Sequence, residues 1–551
     1  MKTRALPLFA LLAIPLAACA QTSGLQNLEQ AATAMPSGKV PGTVIAYSPQ
    51  SSGRYIGSPG LTILPNGDYL ASHDWFGPKS TEHQRAITVV LRSSDRGASW
   101  REVARVHGAF WQGLFVHRGT AYLMGTDRHH GRIVIRRSTD HGSTWTDPRN
   151  GASGLLTPAG EYHTAPVPVI EHNGRLWRGF EDAGGSNKWG ERYRAGMLSI
   201  PVDADLLNAN NWIYSNFLPS ERSWNGGDMR AWLEGNAVLA RDGQMLNILR
   251  VETIGYPEKA AIVRISPDGR TASFDPETGF IPFPGGAKKF TIRHDAISDL
   301  YWSIVNSVPE RHQSGPRRPG GIRNTLALAA SRDLRQWDIR CILLYHPDIA
   351  RHGFQYVDWL FDGDDLIAVC RTACDDDQGG ARNHHDANFL TFHRWKNFRS
   401  LTMADSVPMP EKAQQRVTTA DLIVTGEDWT LAPLANGRRA FANRRYVWRN
   451  VPTRLTGWRF TLLGGGERSI IRVKATRDTV VHFATALSQS GVNTDGWAAE
   501  PELSFAYTDT GRTRMNVFTR ALKAGDDMEI PQGNWSGGLL LLPHALEKRE
   551  P

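Results

Sequence analysis

The sequence is short of cysteine, of long apolar runs and of concentrated charge, and each shortage closes off a class of protein. Only four of its 551 residues are cysteine. Beyond Cys19 these are Cys341, Cys370 and Cys374, too few for a disulfide framework in a chain of this length. A Cys370–Cys374 bridge and three buried thiols are the alternatives. After the first sixteen residues no apolar run reaches the length of a membrane span, so the body of the chain is expected to be exported and soluble. Lys and Arg number 63 against 55 Asp and Glu, a net charge of +8. That balance suits an anionic partner such as an acidic glycan. No basic run or RNA-binding motif accompanies it, which excludes nucleic acid as the expected partner. No P-loop, dinucleotide-binding glycine pattern or serine-hydrolase elbow is present either.

Tryptophan and glycine are plentiful, at 18 and 53 residues, a profile of aromatic strands and many turns. The N-terminus reads as an export signal over 1–20. Lys2 and Arg4 precede an apolar stretch, and two cleavages compete after it. Leu16-Ala17-Ala18-Cys19 resembles a bacterial lipobox that would leave Cys19 lipidated and the protein anchored to a membrane. Ala18-Cys19-Ala20 fits ordinary signal peptidase. The expected location is the periplasm, the outer membrane as a lipoprotein, or the medium.

Two segments share one pattern. "LRSSDRGASW" (Leu91 to Trp100) and "RRSTDHGSTW" (Arg136 to Trp145) both write Ser-x-Asp-x-Gly-x-x-Trp. The Asp carboxylate can accept nearby backbone N–H groups, Gly supplies a positive φ, and Trp packs under the neighbouring strand. Asp95 and Asp140 are therefore expected to be structural. "SRDLRQW" (Ser331 to Trp337) is a shortened copy. A second signal is a hairpin opening into an apolar strand, at Gly67, Gly119, Gly174, Gly243 and Gly363. "HDAISDLYWSI" (His294 to Ile304) is a sixth, glycine-free copy. Six such units predict an all-β chain with a six-bladed β-propeller over 46–406, after a linker at 21–45. A linker at 407–416 and a smaller β-sandwich-like domain over 417–551 complete the expected layout. Trp448, Trp458, Trp497 and Trp535 of that domain could stack on sugars, but core or inter-domain packing is the plainer expectation.

The two Asp-boxes on a six-unit exported β-protein resemble the sialidase superfamily of propeller glycosidases. In "WLEGNAVLARDGQMLNILRVE", Glu234 matches the family's Glu and Arg250 its second triad arginine. Arg323 in "GIRNTLAL" and Tyr356 in "HGFQYVDW" match the third arginine and the nucleophile. The resemblance implies that Glu234 activates Tyr356 while Arg250 and Arg323 hold a carboxylate. Planar guanidinium forks suit that task, and a Tyr is neutral at rest beside an anion. Two positions depart from the family. Gly57 stands where the first arginine belongs, and Ile87 where the acid/base Asp belongs. A substitute acid is expected from "SHDWFGPKSTEH", with Asp74 the choice; His73 and Arg54 are further candidates for substrate contact. The implied reaction is exo-hydrolysis of a terminal acidic sugar by a monomer without cofactor or metal. A uronate lyase using His129, His130, Tyr162 and His163 is the alternative reading, and a non-catalytic glycan-binding propeller another. "CDDDQGGARNHHDANFLTFHR" gathers Asp and His residues without a known metal spacing and reads as a solvated loop.

Overall fold

The computed structural model describes residues 40–314, 317–409, 415–466 and 469–543. The export signal and Cys19 lie outside them. Among the described residues the regular structure is all β, with only short 3-10 turns between strands. The chain divides into two compact units, one of residues 1–309 with 318–408 and one of 310–317 with 409–551.

Among the described residues the first unit holds six antiparallel sheets, numbered here in chain order. Sheet I is built on Tyr69–Phe76, Ile87–Ser93 and Arg101–His107, with Tyr55–Ile56 and Gly60–Ile63 sharing its first position. Sheet II is Phe110–His117, Thr120–Thr126 and Ile133–Ser138. Sheet III centres on Arg175–Asp182 and Arg194–Pro201, with Tyr162–His163 and Ile170–His172 on its first edge. Sheet IV begins with Ala231–Leu239 and Met245–Glu252, and sheet V with Thr291–Asp295 and Leu300–Val305. Sheet VI is Gly353–Asp362, Asp365–Ala373 and Phe389–Trp395, and Thr43–Tyr47 from the start of the unit pairs with its last strand. Each sheet packs on the next, and sheet VI packs on sheet I through Gly353–Asp362 against Gly60–Ile63. The first positions of all six line one cavity of about 820 Å³, through Leu61, Leu114, Ile170, Val238, Ile292 and Leu360.

The hydrophobic core lies between neighbouring sheets. Ile56 and Leu91 of sheet I meet Ile367 and Leu390 of sheet VI, and Trp177 of sheet III is buried among Trp232 and Leu249 of sheet IV. Turn chemistry sets the repeat. The hairpin joining the first two strands turns at Gly67, Gly119, Gly174, Gly243 and Gly363, with φ from 66° to 88°. In sheet V Asp299 adopts φ 53° in the glycine's place.

Both Asp-boxes are outer hairpins. Asp95 accepts from the Ser93 hydroxyl at 2.8 Å and the Ser99 N–H at 2.9 Å, and the Trp100 indole donates to the Gly97 carbonyl at 3.1 Å. Asp140, Thr144, Trp145 and Gly142 repeat the network. In the shortened copy Leu334 takes φ 64° where the others have glycine, and Trp337 donates to its carbonyl. All three remaining cysteines are free and buried, so Cys370 and Cys374 are not bridged.

In the second unit a four-stranded sheet and a seven-stranded sheet share one apolar core, with Val424 and Val473 from the first facing Phe460, Phe483 and Leu541 from the second. Trp448 is fully buried there; Trp458, Trp497 and Trp535 pack against the same core.

Candidate active site

The first strands of sheets IV and VI are broken in the same way. Pairing between Ala231–Leu239 and Met245–Glu252 skips from Leu233 to Asn236, and pairing in sheet VI skips from Gln355 to Asp358. Each skip is a bulge, and the residue it re-aims has positive φ: Glu234 at 60° and Tyr356 at 55°. Such a conformation costs a non-glycine residue about 1–3 kcal/mol, so the surroundings must hold it. They do. The Gly235 N–H donates to the Glu181 carboxylate at 3.0 Å, and a Cβ at Gly235 would lie 2.1 Å from the Asn247 amide oxygen. The buried Lys289 ammonium donates to the Val357 carbonyl at 2.6 Å.

These bulges bring Glu234 and Tyr356 together. Glu234 is buried, which by itself raises a carboxyl pKa. Arg250, His163 and the neighbouring Tyr356 phenol outweigh burial and hold it below the usual range. Arg250 donates to Glu234 at 3.1 Å and to Glu252 at 2.9 Å, and both carboxylates keep it charged. Arg323 donates to the Gly320 carbonyl and the Gln355 amide oxygen, and its guanidinium carbon is 5.6 Å from the Tyr356 ring centroid.

A third arginine, which the sequence reading passed over, completes the group. Arg371 lies 4.8 Å from the Tyr356 ring centroid and 4.4 Å from that of Phe76. Burial lowers its pKa to about 10, so it is cationic at neutral pH. Arg371 stands third from the end of the second strand of sheet VI, as Arg250 does in that of sheet IV, a parallel between "AVCRTA" and "NILRVE" that could have signalled it. The Asp/His-rich loop also has a task. The His385 carbonyl accepts from Arg371 and the His384 carbonyl from Gln355, while Asp376 closes the loop on Gly380 and Asn388.

Asp74 is buried in sheet I. Its two oxygens accept the Ser58 N–H at 2.7 Å and the Trp111 N–H at 2.6 Å. Trp111 sits in a third bulge, at φ 52°. Burial raises the Asp74 pKa to about 7 against the pull of those amides and of Arg371. The departure at Gly57 has a steric cause here. A Cβ there would fall 1.6 Å from Asp74 Oδ1, so this carboxyl and a side chain at position 57 exclude one another.

Two expected residues are elsewhere. His73 neighbours Asp74 on a strand and so faces the other way. It packs edge-on against Trp75 at 4.7 Å, and burial lowers its pKa to about 4. Arg54 lies over the same Trp75 ring at 5.4 Å. Tyr162 is likewise apart from the histidines, packing on Phe217. Tyr193 takes the place expected for it, its hydroxyl 3.2 Å from His130 Nε2. His163 is buried with Nδ1 2.8 Å from Glu181 and its ring 4.3 Å from that of Trp111. Burial holds both His129 and His130 neutral, the former down to about 3.

No protein-family model and no curated protein matches the chain. Among solved structures it is similar to a Penicillium chrysogenum α-L-arabinanase complexed with arabinobiose, at 15% identity and TM-score 0.41, over 66% of this chain and 99% of that one. A Fusarium graminearum α-L-arabinofuranosidase with an iminosugar inhibitor aligns at 13% identity and TM-score 0.40, over 65% and 98%. A Hadza microbial sialidase aligns at 15% identity and TM-score 0.43, over 66% and 69%. At these scores the likeness carries no weight in assigning residues or a substrate.

Proposed function

We propose that the six sheets are the blades of a six-bladed propeller and that this chain is an exported glycoside hydrolase releasing a terminal acidic sugar. The observation that carries the reading is the pair Glu234–Tyr356, each aimed by its own bulge and positive φ, enclosed by Arg250, Arg323 and Arg371. Strain at two positions that meet is what a working site stores.

In the proposed reaction Tyr356 Oη attacks the anomeric carbon while Glu234, ionised at neutral pH, takes the phenol proton. The glycosidic C–O bond breaks, and Asp74 delivers its proton to the leaving oxygen. Water then attacks the glycosyl–tyrosine bond, Asp74 takes the water's proton, and Glu234 returns the first proton to the phenolate. Peptide mass spectrometry after quenching on a slow, fluorinated acidic glycoside tests this. A glycosyl adduct on the peptide holding Tyr356 is expected, and an adduct elsewhere, or none despite turnover, refutes the assignment.

The His130–Tyr193 contact favours a second reading, a uronate lyase in which this pair abstracts a proton α to a carboxylate. Only elimination gives an unsaturated product, so the ultraviolet spectrum of the released sugar separates the two. Export, lipidation at Cys19 and a monomeric state remain part of the first proposal.

A further inference from the structure

We infer that Glu82, His83 and His129 form a binding site for one divalent transition ion of the zinc type, next to the Trp111 segment that holds Asp74. The ligands come from two loops, 77–86 after the second strand of sheet I and 127–132 in sheet II, which is why no spacing motif reveals them. The two loops are pinned together by the backbone: the His129 N–H donates to the Glu82 carbonyl at 2.7 Å. One ligand atom from each of the three side chains lies within 4.8 Å of the others.

The separation of the imidazoles is the informative distance. His83 Nδ1 and His129 Nδ1 are 3.3 Å apart. Zinc binds imidazole nitrogen at about 2.0–2.1 Å with tetrahedral angles, which sets two such nitrogens about 3.3–3.4 Å apart. The observed distance matches that edge and is longer than the usual range of an N–H hydrogen bond. Glu82 supplies the anion. Its side chain is only 14% exposed. Two imidazoles and one carboxylate suit zinc-like ions and not calcium or magnesium, which take oxygen ligands. Three protein donors leave a fourth position for water or another oxygen ligand. The His129 ring also packs on Trp111 at 4.9 Å, and the Trp111 N–H holds Asp74. The ion would thus brace the wall that positions Asp74. This site does not depend on the hydrolase reading.

The test is titration of the untagged, metal-stripped full chain with Zn²⁺ and, separately, Co²⁺. The expected result is saturable binding of one ion, a raised unfolding temperature with Zn²⁺, and the visible bands of four-coordinate Co²⁺. His83 is 70% exposed, so His83→Ala should fold as the parent does, checked by near-ultraviolet dichroism. His83→Ala and Glu82→Gln should each weaken Zn²⁺ binding by roughly 100-fold, at least the upper end of what outer-sphere changes cost. Absence of saturable binding to either ion overturns the site. So does Zn²⁺ affinity unchanged in His83→Ala, which would place the ion on other histidines or on the cysteines.

Discussion

Asp74→Asn keeps the shape of a buried side chain and removes its titration. In the folded chain burial keeps the Asp74 carboxyl protonated up to about pH 7; its ordinary value is 3.8. The folded state therefore retains a proton that the unfolded chain has released, across the interval between those two values. Stability contributed by this group is full below the lower value and falls through the interval by about 1.4 kcal/mol per pH unit, or about 4 kcal/mol in all. Above about pH 7 the loss is complete and the curve flattens. The Asn variant lacks this slope. Its amide NH₂ must instead face either the Ser58 or the Trp111 N–H, a donor against a donor costing about 1–3 kcal/mol at every pH. The variant is thus expected to be less stable than the parent in mild acid, with the gap closing or reversing by neutral pH. Urea unfolding of both proteins, followed by tryptophan fluorescence at several pH values, measures this. Parallel stability curves between about pH 5 and 7 would refute the reasoning, because they would mean that Asp74 ionises normally in the fold.

Activity should show a matching profile: an alkaline limb near pH 7 from Asp74 and an acid limb below the usual carboxylate range from Glu234, read from kcat/KM against pH. Tyr356→Phe should lower kcat by roughly 10³-fold with the unfolding midpoint nearly unchanged; kcat within a few-fold of the parent rules out the nucleophile. Gly57→Ala should destabilise by about 3 kcal/mol, the top of the overpacking range, and slow substrates with poor leaving groups most; a neutral outcome would show that Asp74 has room to move. Arg371→Met keeps the stem against Tyr356 but removes the charge. It should lower kcat/KM for an acidic glycoside by about 10- to 100-fold, and an unchanged kcat/KM would remove Arg371 from the anion site. Asp140→Ala should lower the thermal midpoint without touching kcat/KM, and a loss of activity in a folded variant would contradict the structural role of the Asp-box.

The sequence by itself determined the local devices. Turn residues act over four or five positions, so the Ser-x-Asp-x-Gly-x-x-Trp hairpins and the six repeated first hairpins were legible, down to the glycine-free copy where Asp299 adopts the positive φ. Glu234, Arg250, Arg323 and Tyr356 were singled out only through a resemblance, the first two in one repeat and the others in the two that follow. Other features were decided only by tertiary structure. Which face of a strand a side chain takes depends on bulges and pairing, and so His73 and Arg54 gather at Trp75 while Asp74 turns inward. Arg371 joins the other arginines because its strand ends beside Tyr356, and Tyr193, not Tyr162, meets His130 for the same reason. Gly57 read as a lost arginine; in the fold it is the space that the Asp74 carboxylate occupies. A pattern in one strand cannot show what a strand elsewhere in the sheet places against it, and that is where the third arginine and the ligands of the proposed ion site were hidden.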